Sequence, residues 1–200
     1  MFLDHDDAKK YPKCMDLMVK LELSLKHQPD VLKAFFTVCK AASQPTSAKD
    51  VERIAREKAL RYGAGPRIKV YEGDLKGIVQ DTPGGKRTVV QACAVNDDVT
   101  AVLRKTPVVI EIISPWFDAF EFGYYPSDPD RPGRRLTITL LHELVHWVRG
   151  QTNASADATV PSYIPGEAGE LFEKIAYGDS NLCNDDEIFD AITSFRRRPF

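Results

Sequence analysis

The sequence predicts an α+β domain in which N-terminal helices, a small mixed sheet and C-terminal helices follow one another. Apolar residues recur at helical spacing over residues 11–27 and again in the segment VLKAFFTVCKAA. Between residues 67 and 113, short runs rich in β-branched side chains are bounded by Gly, Pro and Asp, as strands usually are. The helical period returns at residue 136, so helices lie on both sides of the strands along the chain.

The first three helices are indicated by their apolar stripes and by the residues at their ends. The stripe of the first helix, over residues 11–27, consists of Cys14, Leu17, Met18, Leu21 and Leu25. Pro29 precedes the second helix. Ser47 and Asp50 form a capping pair that opens the third helix, which extends to about Arg61 and ends at GAGP.

Strands are expected at residues 67–71, 87–95 and 107–113, with DTPGGK as a turn between the first two. A short helix over about residues 97–104 separates the last two strands. The run SPWFDAFEFGYYPSDPDRPG, residues 114–133, predicts an irregular aromatic loop because Pro and Gly recur in it. This loop could wall a substrate cleft, or it could only cover the sheet.

Three further helices are expected at residues 136–149, about 166–177 and about 185–195. The chain contains no repeat, no low-complexity segment and no linker that would divide it. Its hydrophobic share of 43% is enough for a core. The sequence therefore predicts a single domain over residues 1–200.

The charge balance argues against nucleic acid as a partner. The chain has 27 basic and 29 acidic residues, whereas phosphate binding needs a concentrated basic surface. No apolar run approaches the ~20 residues that cross a bilayer. The N-terminus lacks the apolar region of a signal peptide. We therefore expect a protein without a transmembrane segment that is made in the cytoplasm, and any export to use a route that reads no such signal.

The four cysteines are Cys14, Cys39, Cys93 and Cys183. Their wide spacing does not match a structural zinc site, and buried thiols are the expected state. Cys14 and Cys39 lie on consecutive predicted helices, so a disulfide between them is the alternative in an oxidising compartment.

The stretch LTITLLHELVHWVRG, residues 136–150, carries the strongest functional signal. On a helix, His142 and His146 project from the same face one turn apart, where both imidazoles can bind one Zn²⁺. Glu143 points about a quarter-turn away and can reach a water beside the metal without binding the metal, as in the HExxH motif. The helix is apolar almost all round and therefore buried, so these polar side chains need a partner, which a metal would provide.

A carboxylate about twenty residues after His146 completes the predicted metal site. The segment GEAGELFEKIAYG begins at Gly166 and places Glu167 in the first turn of a helix. Zinc sites of the two-His-one-Glu type take their carboxylate from a second helix after such a connection. Glu167 is the favoured ligand and Glu170 and Glu173 are the alternatives. Glu173 could instead accept a hydrogen bond from a histidine Nδ1–H.

The residues HELVH followed by GE resemble the gluzincin branch of the zincins, to which thermolysin belongs. The resemblance implies Zn²⁺ as the cofactor, with Glu143 as general base and, as its ligands, His142, His146 and Glu167. Two features differ from that pattern. GEAGE lacks the Asn of the aminopeptidase context NEGxA, and no histidine follows His146 to match the further catalytic histidine of thermolysin.

A wider resemblance covers most of the chain. The elements GAGPRIKV and GEAGELFEKIAYG, together with the N-terminal helices, are similar to bacterial metallopeptidase toxin domains, one of which is appended to a spike protein of type VI secretion systems. This resemblance implies a zincin-like fold and an effector or toxin role, with secretion machinery and a cognate immunity protein as partners. The absence of a signal peptide fits such effectors, which are loaded onto the secretion machine from the cytoplasm.

Together these features predict a zinc peptidase that hydrolyses peptide bonds in a protein or peptide substrate. Glu143 would take the proton of the attacking water and deliver it to the leaving nitrogen. Tyr163 and Tyr177 flank the third-ligand segment and are candidates for holding the oxyanion, although either could be plain packing. A peptidoglycan stem peptide is the alternative substrate. A zinc-stabilised binding module and an interaction adaptor with two core histidines are the alternative functions.

Overall fold

The computed structural model of the protein describes residues 1–41, 46–71, 78–81, 87–90, 92–95, 109–123, 128–155 and 157–179. It confirms the α+β fold class, because helices precede and follow a small mixed sheet. The helices expected at residues 97–104 and 185–195 lie outside the described residues. The single domain over residues 1–200 stays a prediction.

The N-terminal helices are α1 (His5–Lys10), α2 (Pro12–Lys26), α3 (Pro29–Cys39) and α4 (Ala48–Ile54), and α4 continues as a π-helical segment over Ala55–Leu60. The buried face of α2 consists of Cys14, Met18, Leu21 and Leu25. Ser47 Oγ accepts a hydrogen bond from the Asp50 N–H at 3.2 Å, so the expected cap opens α4. Cys14 and Cys39 are both buried thiols, and the alternative of a disulfide between them is therefore not adopted.

The strands of the first half are β1 (Phe2–Leu3), β2 (Arg67–Tyr71), β3 (Ile78–Asp81), β4 (Arg87–Val90), β5 (Ala92–Val95) and β6 (Val109–Ile113). Four of them form one sheet in the order β1-β2-β6-β5. The first three strands in this order are parallel and β5 is antiparallel to β6, while β3 and β4 form a separate two-stranded sheet within the described residues. The strand expected at residues 87–95 is thus two strands, β4 and β5, that belong to different sheets.

The segment expected to begin an irregular loop is helical, as α5 (Ser114–Phe122). Pro115 lies in the first turn of α5, where its missing N–H removes no helical hydrogen bond. Trp116 and Phe117 are buried, and α5 contacts β2 and β6. The prediction of a loop was wrong over these residues. A proline breaks a helix when it lies in the interior, whereas Pro115 lies in the first turn, where it is tolerated. The contacts with β2 and β6 fit the covering of the sheet, and the role as a wall of a substrate cleft stays a prediction.

The C-terminal half contains α6 (Arg131–Gln151), β7 (Asp157–Ala158), β8 (Gly166–Glu167) and α7 (Ala168–Tyr177). The long helix begins at Arg131 rather than at residue 136, because Pro132 is accommodated in its first turn. The last helix begins two residues later than expected, because β8 pairs with β7 in an antiparallel ribbon. α7 packs against both α3 and α6, and the rings of Phe35 and Phe172 meet edge to face at 6.1 Å. Among the described residues, no helix is long and apolar enough to span a bilayer.

Candidate metal centre

The candidate centre lies where α6 packs against β8 and α7. His142 and Glu143 lie in the middle of α6 and are buried. His146 follows one turn later and is half-buried, as is Glu167, which is the residue immediately before α7. The structure therefore brings together all four residues that the sequence singled out.

The nitrogen and oxygen atoms of His142, His146 and Glu167 that could bind a metal lie within 4.8 Å of one another. His142 Nε2 is 3.7 Å from Glu167 Oε2, and His146 Nε2 is in direct contact with Glu167 Oε1. Two imidazole nitrogens and a carboxylate oxygen at this spacing suit a single metal ion.

Glu143 lies beside these atoms on the same side of the His142 ring. Its Oε1 is 4.0 Å from His142 Nε2, the nitrogen that faces Glu167. The side chain is 6% exposed. A carboxylate in this position can reach a water next to the three candidate ligands without itself replacing one of them.

Glu167 is also the N-cap of α7. Its carboxylate accepts hydrogen bonds from the backbone N–H groups of Gly169 at 3.0 Å and of Glu170 at 2.7 Å. Burial raises the pKa of Glu167. The opposing effects are the hydrogen bond with His146, the charges of His146 and His142, and a backbone N–H of α7. Together they outweigh burial and lower the pKa to about 2. The carboxylate is therefore ionised at neutral pH, and the helix start holds it in place.

Glu173 orients His142 from the side of the ring that faces away from Glu167. The Glu173 side chain is 0% exposed, and its Oε1 accepts a hydrogen bond from His142 Nδ1 at 2.7 Å. A carboxylate at this position keeps the ring proton on Nδ1 and leaves Nε2 with its lone pair available. This contact is the one considered for Glu173 from the sequence, whereas Glu170 is exposed.

Comparison with known families agrees with this geometry. A family model described as metallopeptidase toxin 3 matches residues 7–178. The chain belongs to the metallopeptidase toxin 3 family. The match includes the strands β2 to β8 and the helices α6 and α7, and it confirms the resemblance to metallopeptidase toxin domains. No curated protein and no solved structure matched the chain.

Membership of the metallopeptidase toxin 3 family implies a protease that requires a metal. The residues of this toxin domain fit a metal, because two imidazole nitrogens and a carboxylate oxygen lie within 4.8 Å of one another and the Glu173 carboxylate at His142 Nδ1 favours the tautomer whose Nε2 can bind a metal. The link to a type VI spike protein stays a prediction.

The two tyrosines considered for oxyanion stabilisation lie on either side of Glu167 along the chain. Tyr177 ends α7, ten residues after Glu167, so the helical rise of 1.5 Å per residue separates the two by ~15 Å. Its ring packs against Phe172, with centroids 6.0 Å apart. Tyr163 lies four residues before Glu167 and is 36% exposed. The role of either tyrosine in oxyanion stabilisation stays a prediction.

Gly169 lies against the His142 ring, a contact that the sequence analysis missed. A Cβ at this position would overlap the imidazole, closer than real Cβ atoms approach their neighbours. The missing side chain lets α7 approach α6 closely enough for Glu167 and Glu173 to reach the same histidine. The available signal was the second Gly of GEAG, since Gly within a helix is less favourable than Ala by about 1 kcal/mol unless packing requires it.

We expect Gly169→Ala to weaken metal binding by ~10-fold or more, because the added methyl group displaces the His142 ring from its orienting contact. Gly166→Ala is the matched control, since a Cβ there would meet nothing within 4 Å. Competition with a chromophoric chelator measures the two dissociation constants. Equal affinities in the two variants would contradict a role for this close approach.

Proposed function

We propose that the protein is a zinc-dependent peptidase in which His142, His146 and Glu167 bind Zn²⁺ and Glu143 is the general base. The observation that supports this proposal is the convergence of two imidazole nitrogens and an ionised carboxylate within 4.8 Å, with a buried Glu143 beside them. A set of three N and O protein ligands is typical of catalytic zinc sites, whereas structural sites usually close with four ligands, often including Cys.

Each residue of the proposed site has a distinct role in hydrolysis. When bound, zinc would supply the Lewis acidity that lowers the pKa of a water and polarises a carbonyl group. Glu143 accepts the proton of the attacking water and delivers it to the leaving amide nitrogen. Glu173 fixes the ring of His142, and the N-cap contacts of Glu167 fix the carboxylate, so little reorganisation accompanies the reaction. Tyr163 and Tyr177 are the two candidates for the hydroxyl that stabilises the oxyanion.

The substrate that fits a peptidase toxin is a protein of the target cell, and peptidoglycan stem peptides are the alternative. Delivery by a route that reads no signal peptide, with secretion machinery and a cognate immunity protein as partners, stays a prediction. Assays on an unfolded protein and on peptidoglycan fragments, run in parallel with the same preparation, distinguish the two substrates.

Removal and return of the metal test the proposal directly. The purified protein is expected to contain one zinc per chain, measured by elemental analysis. Hydrolysis of casein should be lost after treatment with 1,10-phenanthroline and restored by stoichiometric Zn²⁺, while the non-chelating 1,7-isomer serves as the control. Zinc without hydrolysis of either substrate would favour a zinc-stabilised binding module. A protein that binds no zinc would favour an adaptor with two core histidines, and either result would overturn the proposal.

A further inference from the structure

The last turn of α6 carries a buried cation that the proposed chemistry does not use. Arg149 follows His146 by three residues and therefore lies one turn further along the same side of the helix. It is 1% exposed. Burial of a guanidinium is costly unless its donors are satisfied, so the partners of Arg149 are informative.

Arg149 donates in three directions to backbone carbonyls. Its Nη1 donates to Val38 O at 3.0 Å, in the last turn of α3, where carbonyls carry the partial negative charge of the helix end. Its Nε donates to Ser155 O at 2.9 Å and its Nη2 to Asp157 O at 2.6 Å. Two of the three acceptors thus belong to the chain that enters the ribbon of β7 and β8.

This ribbon connects Arg149 to the candidate centre. Asp157 pairs with Glu167, and Ala158 pairs with Gly166. Asp157, whose carbonyl oxygen accepts a hydrogen bond from Arg149, therefore lies directly opposite Glu167, the candidate third ligand. A ribbon with two residue pairs has little stability of its own, so its position depends on what anchors it.

We propose that Arg149 is a positioning residue that fixes Asp157, holds the ribbon of β7 and β8 against α6, and thereby sets the position of Glu167 beside His146. The inference rests on the proposed role of Glu167 as a ligand. One helix then carries both candidate histidines and the anchor of the third ligand. The planar fork of Arg matches three acceptors in different directions, which the single ammonium of Lys does not.

A double-mutant cycle tests whether Arg149 acts through Glu167. The Zn²⁺ dissociation constant is measured by chelator competition for wild type, Arg149→Met, Glu167→Ala and the double variant. Each single variant is expected to bind Zn²⁺ ~10–100-fold more weakly. The double variant should bind no more weakly than Glu167→Ala alone, because the anchor has no effect once the carboxylate is gone. Arg149→Lys should be intermediate.

Ile68→Ala in β2 is the matched control, because it removes a fully buried side chain of the sheet and lowers the melting temperature without touching the ribbon. Its affinity for Zn²⁺ is expected to stay at the wild-type value. If Arg149→Met does not fold, the same cycle is run with Arg149→Lys. The inference alone would be overturned if the losses of Zn²⁺ affinity in the two single variants added up in the double variant. It would also be overturned if the Arg149 variant bound Zn²⁺ with wild-type affinity while Glu167→Ala bound it more weakly. Wild-type affinity in Glu167→Ala would overturn the ligand assignment and, with it, the inference.

Discussion

Glu143→Gln is expected to retain stoichiometric zinc and a wild-type melting temperature while its peptidase activity falls ~10²–10⁴-fold. The amide preserves the volume of a side chain that is 6% exposed, so packing around it is kept. It cannot accept a proton, so the attacking water loses its base. Zinc content, thermal melting and casein hydrolysis, measured on the same preparations, separate this chemical effect from loss of the metal or of the fold.

Glu170→Gln provides the matched control for this loss of a carboxylate. Glu170 is exposed on α7, and the same chemical change there is expected to leave activity within ~2-fold of wild type, as surface substitutions usually do. Hydrolysis at the wild-type rate by Glu143→Gln, with its zinc intact, would falsify the role of Glu143 as general base.

The second large effect is expected from His142→Ala and His146→Ala, each of which should lose zinc on dialysis and all measurable peptidase activity. Each substitution removes one of three proposed ligands and weakens binding enough for dialysis against a chelator to remove the ion. His27→Ala, at an exposed histidine after α2, is the control and should keep both properties. Stoichiometric zinc in the double variant of His142 and His146 would show that the ion binds elsewhere.

The two histidine variants should also differ from each other in stability when metal is absent. His142→Ala removes a hydrogen-bond partner of the fully buried Glu173 carboxylate, a loss that costs about 1–3 kcal/mol. His146 is half-buried, so its replacement by Ala removes less buried side-chain area and lowers the free energy of unfolding by less. A lower melting temperature for metal-free His142→Ala than for metal-free His146→Ala is therefore expected, and the reverse order would contradict the orienting role of Glu173.

The parts of the molecule that sequence alone predicts well are those whose signal is local. Two histidines four residues apart define one face of a helix wherever that helix lies, and α6 contains both as expected. Likewise, an acidic residue at the start of a helical pattern predicts a carboxylate at a helix end. Glu167 occupies that end as the N-cap rather than within the first turn. The family match and the α+β class also agree with the patterns that predicted them.

The features that the sequence could not predict depend on contacts with distant parts of the chain, and the residue types involved do not reveal those contacts. Arg149 is held by three backbone carbonyls, which any residue would offer, so no pattern marks their positions. β1 has two residues, too few for an alternation to be recognised, and exists because β2 pairs with it. Gly169 is explained only by the position of the His142 ring, which belongs to a different helix.

The candidate ligands lie on both sides of the contact between α6 and the segment of β8 and α7, and this arrangement makes bound metal a reversible cross-link. An ion that binds only the closed arrangement stabilises it according to the free ion concentration, by about 1.4 kcal/mol for each tenfold increase above the dissociation constant. Local opening of the ribbon would then be governed by the zinc supply of the compartment that the toxin occupies. In a zinc-poor compartment, the connection between β7 and β8 would open more often and become the first place where a foreign protease cuts the chain.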